Sequence, residues 1–426
     1  MKKSMKLLLV VLFAATSWAA YGQSSRALQY FRPVGQDGIN VFETSKTDTV
    51  EYDGLKVRVG GAFAMQFQAI DQENGLSGQE NLFPLVELGS NLNLPTASLV
   101  LDVQLHDGVR MHLTSYLSSR HHEESWVKGG YIQMDKLDFI KPGFLKGVMD
   151  VTTIRVGMDE FNYGDTRFRR TDNARAIYNP FVGNYIMDAF STEAFAEVTV
   201  QQNGFLGVVG ITNGKLNQSV VVNDNSDNKL SFFGKLGYDN YIADDLRVRL
   251  TGSVYMNKGN TTGSYLYGGD RAGSRYYYVM HTVADGGSNF EGRFNPRFKE
   301  ITAIQVNPFI KYKGIEFFGV YEVASNSDDE GNGQFTQLGG ELIYRFGSME
   351  QLYVGGRYNV VTGEMIEGAP EREINRLNIG GGWFMTKNIM AKAEYVNQKY
   401  EGTGWIGSKY AGGEFNGFMV EAVISF

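Results

Sequence analysis

Four arginines crowd one connection: Arg167, Arg169, Arg170 and Arg175 fall in the segment Asp159-Glu160-Phe161-Asn162-Tyr163-Gly164-Asp165-Thr166-Arg167-Phe168-Arg169-Arg170-Thr171-Asp172-Asn173-Ala174-Arg175. A guanidinium stays charged at any physiological pH, and its planar fork of donors matches carboxylate and phosphate. Held in a passage, such groups supply fixed positive charge where solutes go by. The same side chains could instead tie the segment to Asp165, Asp172 or acidic residues of a surrounding wall. The two uses are compatible. The segment opens a connection that runs to about Asp188.

Other residues that could react or ligate are less organised. Asn223 to Asn228 and Ser325 to Glu330 hold enough oxygens for calcium, but solvated loop tips account for them more simply. His121-His122 lacks a third ligand at metal spacing. Gly268-Gly269-Asp270-Arg271-Ala272-Gly273 invites a phosphate-loop reading without the strand-then-helix context that reading needs. His112 is placed near mid-strand opposite Asp102, where wall hydrogen bonding explains it better than a Ser-His-acid set. No catalytic residue, metal, cofactor or nucleic-acid partner is expected.

What must position the arginines is a run of alternating strands. Leu55, Val57, Val59, Phe63, Met65 and Phe67 face one way, and Lys56, Arg58, Gln66 and Gln68 the other. Leu99, Leu101, Val103 and Leu105 alternate with Ser98, Asp102 and Gln104; Val109, Met111 and Leu113 alternate with Arg110 and His112. Pairing Leu105 with Val109 leaves His106-Asp107-Gly108 as a hairpin loop, with Gly108 at a positive φ. Later strands set Arg247 and Arg249 against Leu246, Val248 and Leu250, Arg357 against Val354 and Tyr358, and Arg376 against Leu377. The chain stops on Phe418, Val420, Ala422, Ile424 and Phe426 sharing one face. Period-two alternation of this kind turns apolar side chains to lipid and polar ones to a lumen.

Loop lengths separate a barrel from a soluble sandwich. Short turns (Lys313-Gly314, Gly347-Ser348, Thr386-Lys387-Asn388) alternate with long stretches at 325–334, 362–373 and 399–414, as on the two rims of an outer-membrane barrel. Residues 258–298 must form one external loop, because an extra strand there breaks the up-and-down order. Sixteen strands result, with the strand near 126–136 the least regular, since Lys128 and Lys136 share a face with Ile132 and Met134. The 52 Gly, 24 Tyr and 28 Phe suit turns, strands and interfacial girdles, and the absence of Cys excludes a disulfide scaffold and thiolate metal sites.

Residues 1–22 read as a signal peptide: Lys2, Lys3 and Lys6, an apolar run from Leu7 to Ala15, then Ala20-Tyr21-Gly22. Removing 22 of 426 residues leaves 404, and the formal charge moves from −7 to −10 with the loss of three lysines and no acid. Residues 23–54 lack alternation and form either a periplasmic lead-in or a lumenal segment; residues 55–426 form the barrel. Inward positions are basic at Lys56, Arg58, Arg110, Arg155, Lys229, Lys235, Arg247, Arg249, Lys311, Arg345, Arg357, Arg376 and Lys392. They are acidic at Asp102, Glu193, Glu197, Glu316, Glu322, Glu341, Glu394 and Glu421. This surplus of base favours small anions, unless wall ion pairs consume it.

The chain resembles the phosphate-selective porin family, sixteen-stranded trimeric outer-membrane channels. The likeness rests on Ile154-Arg155-Val156-Gly157-Met158 leading into Tyr163-Gly164, on Arg169-Arg170-Thr171-Asp172-Asn173 and on Asn179-Pro180-Phe181. It implies passive uptake of small polar or anionic solutes and assembly as a homotrimer. The family's arginine ladder comes with a lysine cluster that has no match in this chain. The expected protein is an all-β, transmembrane, antiparallel up-and-down β-barrel of about 16 strands in the outer membrane of a Gram-negative-type bacterium. Its expected partners are outer-membrane lipid and small solutes, with Arg167, Arg169, Arg170 and Arg175 on an inward-folded third loop. The rival reading is a non-conducting barrel that serves as scaffold or adhesin through its long external loops.

Overall fold

The computed structural model describes residues 27–426 apart from 49, 77–81, 119–124, 171–174, 216–219, 223–227, 260–264, 269–275, 286–291 and 327–330. The signal-peptide segment, His121-His122, Asp172, the glycine-rich run at 269–273 and most of both oxygen-rich stretches lie outside these residues.

The first eight strands are β1 (Lys56–Glu73), β2 (Asn91–His106), β3 (Val109–Ser118), β4 (Ser125–Met134), β5 (Thr152–Glu160), β6 (Thr192–Gln202), β7 (Phe205–Thr212) and β8 (Ser231–Ala243). The second eight are β9 (Leu246–Asn257), β10 (Ile301–Tyr312), β11 (Ile315–Asn326), β12 (Gln334–Phe346), β13 (Leu352–Glu364), β14 (Arg372–Thr386), β15 (Ile389–Glu401) and β16 (Glu414–Ser425). Each pairs antiparallel with its neighbours in sequence, and β16 returns to β1, with Phe67 opposite Val420 and Gln66 opposite Glu421. Closure satisfies every strand edge, which is what a sheet in hydrocarbon requires.

Alternation places the two faces as the sequence implies. In β12, Leu338, Leu342 and Tyr344 point outward and are exposed, whereas Gln337, Glu341 and Arg345 are buried in the lumen. Residues 258–300 form one connection between β9 and β10, as the up-and-down order demands. No helix among the described residues is long and apolar enough to cross a membrane. The strand between 125 and 134 owes its irregularity to a bulge. Thr114 pairs with Gly129 and Ser115 with Val127, so Lys128 is an extra residue that turns inward beside Gly129. Lys229 departs from its expected place, because β8 begins only at Ser231 and Lys229 stands exposed in the preceding loop. In the β2–β3 hairpin Gly108 takes φ +69°, and Asp102 lies opposite His112. The turn tightens to Asp107-Gly108 because His106 bridges Val109 and the ladder bulges between Gln104 and His106.

The lumen is occupied. The described parts of residues 27–54, of the third external loop (161–191) and of the fifth (258–300) send buried side chains against the inward wall, and the apolar core is shared between these insertions and the strands. From the fifth loop, Tyr276 donates to Glu394 at 2.6 Å and Tyr267 to Glu322 at 2.7 Å. Polar wall groups, already desolvated by the barrel, thereby gain the partners that burial demands.

Candidate functional site, a basic cavity in the lumen

The third loop crosses the barrel and is tied to the far wall by polar groups at each step. Asp165 accepts from Arg249 Nε and Nη2 at 2.8 and 2.9 Å, from Thr251 at 2.7 Å and from Lys235 at 3.0 Å. Burial opposes ionisation of Asp165, but Arg249 and Lys235 outweigh it and hold the carboxyl well below the usual range. Further along, Val182 N–H donates to Glu394, Ile186 N–H to Asn359 and Met187 N–H to Gln337. Lys392 reaches up to the carbonyls of Ala176, Asn179 and Phe181 at 2.8–3.0 Å.

Residues 27–54 circle the inside of the wall beneath this loop. Gln29 bonds Gln104 on β2 and Phe31 packs under Arg58 of β1. The strap then reaches the β14–β15 turn, where Gln36 N–H donates to Lys387 O at 2.7 Å. Asn40 donates to Glu316 on β11, Phe42 lies under Arg249 of β9, and Lys46 pairs with Asp135 at the foot of β4. Tyr52 closes the circuit against Leu105 O.

Between strap, loop and the β3–β6 wall lies a water-accessible cavity. Arg32, Arg110, Arg155, Arg167 and Arg175 converge on it, with Glu43, Glu197 and Tyr131. A second hollow, reaching Arg58 and His112, shares Arg32, Arg110, Tyr131 and Arg175 with the first. Arg155 donates to Glu197 at 2.8 Å, and Arg175 to Glu160 at 2.6 Å. Arg110 donates to Gln133 and to the carbonyl of Tyr30. Aromatic faces back the guanidinium groups, with Arg32 3.9 Å from the Tyr178 ring centre and Arg155 4.1 Å from that of Tyr131. Arg110 Nη1, Arg155 Nε and Arg167 Nε are buried N–H groups with no hydrogen-bond partner among the described residues. A cluster of donors left this way is chemically suited to accept an anion. Burial, helped by Arg175 and Arg167, pulls Arg32 down to about 10, so it is still charged at neutral pH.

The four loop arginines part company here. Arg175 and Arg167 border the cavity. Arg169 is buried against Glu341 at 2.7 Å and Glu316 at 3.6 Å, and Arg170 against Asp188 at 2.5 Å and Glu160 at 3.4 Å. Among the wall arginines, Arg110 and Arg58 border the hollows; Arg247 and Arg249 face the strap, Arg357 grips Glu341, and Arg376 donates to Gln398. His112 lies between Asp102 (2.8 Å) and Thr114 (3.0 Å), a chain of wall hydrogen bonds. Arg32 was not singled out from the sequence. It sits between Phe31 and Pro33 in a segment without periodicity, and nothing local signals its destination. Arg155 carried two signals, inward parity and its place in the Ile154–Met158 motif, but neither pointed to a cavity.

No protein-family model and no curated protein matches the sequence. Solved structures do match in fold. An anion-selective porin from Comamonas acidovorans superposes with TM-score 0.52 at 10% identity, over 87% of this chain and 100% of the other. The outer membrane channel DcaP of Acinetobacter baumannii matches at TM-score 0.51 and 11% identity, over 88% and 99%. OmpT, an outer membrane protein of Vibrio cholerae, also gives 0.51 and 11%, over 88% and 99%. Identities this low speak to architecture and not to solute. The chain is a sixteen-stranded outer-membrane β-barrel of porin-like architecture.

Proposed function

We propose that this protein is an outer-membrane porin through which small polar or anionic solutes diffuse passively, with a passage narrowed by the third loop and the N-terminal strap. The observation that carries this reading is the convergence of Arg32, Arg110, Arg155, Arg167 and Arg175 on one water-accessible cavity. Cationic side chains lining a narrow, low-dielectric passage attract anions and repel cations. Arg175, partly exposed at the cavity, is the loop arginine assigned to solute, while Arg167 adds its charge from a buried position beside it. Arg169 and Arg170 brace the loop through their ion pairs. The resemblance to phosphate-selective porins extends the solute class toward phosphate, and trimeric assembly belongs to the same reading. Proteoliposome swelling tests it: vesicles carrying the full-length protein should admit small anions faster than cations of equal size. Equal, slow entry of both contradicts it.

A second reading draws on the filling of the lumen by strap, third loop and fifth loop. A barrel packed this way could present its external loops to a partner without conducting. Vesicles that stay impermeable to every small solute would favour it.

A further inference from the structure

Resting on the porin reading, we infer that Arg32, supplied by the N-terminal strap, sets the charge preference of the passage. The wall and loop cations around it are largely spoken for. Arg155 is matched by Glu197, Arg175 by Glu160, and Arg58 and Arg110 share Asp102 at 3.3 and 3.8 Å. Seen from a solute, each such pair is closer to a dipole than to a charge, and its field falls off quickly. Arg32 differs. Its guanidinium donates only to main-chain carbonyls, Gly38 O at 2.9 Å and Phe168 O at 3.1 Å, and forms no ion pair with a described residue. Arg167 likewise donates to a carbonyl, that of Glu160, but its side chain is almost wholly shut off from water. Arg32 is only partly buried and borders both hollows.

The position is built and not incidental. Tyr178 of the third loop stacks on Arg32 and donates its hydroxyl to Pro33 O at 2.8 Å. Gly38 has no room for a side chain, since a Cβ there would lie 2.0 Å from Pro33 O and 2.8 Å from the Tyr178 ring. Strap and loop thus lock the guanidinium in place from two sides. Its uncompensated charge makes Arg32 a specificity-determining residue that lies in neither the barrel nor the third loop.

The test is the reversal potential of the full-length protein in a planar bilayer under a KCl gradient, for wild type, Arg32→Gln, Arg32→His and Arg376→Gln. Arg376 is the control: it too donates to neutral groups, Gln398 and Asn184 O, but borders neither hollow. Arg32→Gln should lower the chloride-to-potassium permeability ratio severalfold, while Arg376→Gln leaves it near wild type. Arg32→His, read on one folded preparation, should be more anion-preferring at pH 5 than at pH 8 by more than the wild type is. Unchanged ratios in both Arg32 variants overturn the assignment. A wild type that carries no current overturns the porin reading itself, a result distinguishable from the first.

Discussion

Arg249 holds Asp165 by a two-pronged grip, Nε to Oδ2 at 2.8 Å and Nη2 to Oδ1 at 2.9 Å, across the 84 residues between the third loop and β9. Breaking a buried pair leaves a desolvated charge, which costs about 3 kcal/mol at the lower end of such cases. The lower end applies because Arg249 retains Glu43 at 2.8 Å and Asp239 at 3.0 Å. Asp165→Asn should therefore destabilise the folded protein by that amount in urea titrations at neutral pH. The folded carboxyl titrates below its unfolded value, so its contribution is complete above ~3.9 and drains away as pH falls further. Wild type and variant should converge in stability below that pH, and a constant gap down to strong acid would contradict the pairing.

The strap fills the periplasmic half of the lumen without being part of the wall. Excising residues 27–44 removes Arg32 together with Gln29, Asn40 and Glu43, and the wall partners of the last three keep other bonds: Gln104 keeps Val109 O, Arg249 keeps Asp165, and Glu316 keeps Arg345 at 2.7 Å. The shortened protein should still fold, shown by resistance to denaturation in detergent, and its single-channel conductance should rise severalfold. Conductance equal to wild type would mean the strap lies off the permeation path.

Gly164 sits at φ +65°, and a Cβ there would fall 2.0 Å from the side chain of Gln305 on β10. Gly164→Val combines left-handed backbone strain of about 1–3 kcal/mol with a clash against the wall. The third loop should then seat poorly, and limited proteolysis should cleave it within 161–191 while wild type resists. An uncut loop in the variant would show that the seat tolerates a side chain.

The outward face is read most directly by charge. Leu342 is 57% exposed on the outer surface of β12. An arginine at the bilayer midplane of a barrel costs about 2–4 kcal/mol, so Leu342→Arg should lose that much in vesicle-based urea titrations. Gln337, on the lumenal face of the same strand, offers the contrast: Gln337→Glu should act through Met187 and Glu322, not through lipid. A neutral Leu342→Arg would place that face away from acyl chains.

Much of the wall was legible because period two is a local signal. The strand order, the inward set around Asp102, Glu341 and Arg357, the Gly108 turn and the Asp102–His112 pairing all follow from which residues share a face. Lys128 misled, because a single bulge reverses parity and leaves no mark in composition. The destinies of the loop arginines were not legible at all. Whether Arg169 meets Glu341 or a solute depends on how residues 161–191 lie across the lumen, a matter of a contact 172 residues apart in sequence. Arg32 is the extreme case, since the strap has neither periodicity nor motif. Its path is set by partners on β2, β9, β11 and β4, drawn from opposite sides of the wall.

The account turns on whether the guanidinium-lined cavity is part of a conducting path. Purified full-length protein in a planar bilayer, under a KCl gradient, answers this in one recording. Discrete openings with a reversal potential displaced toward the chloride equilibrium are the predicted result. A silent bilayer, or openings that reverse at the potassium equilibrium, would contradict it.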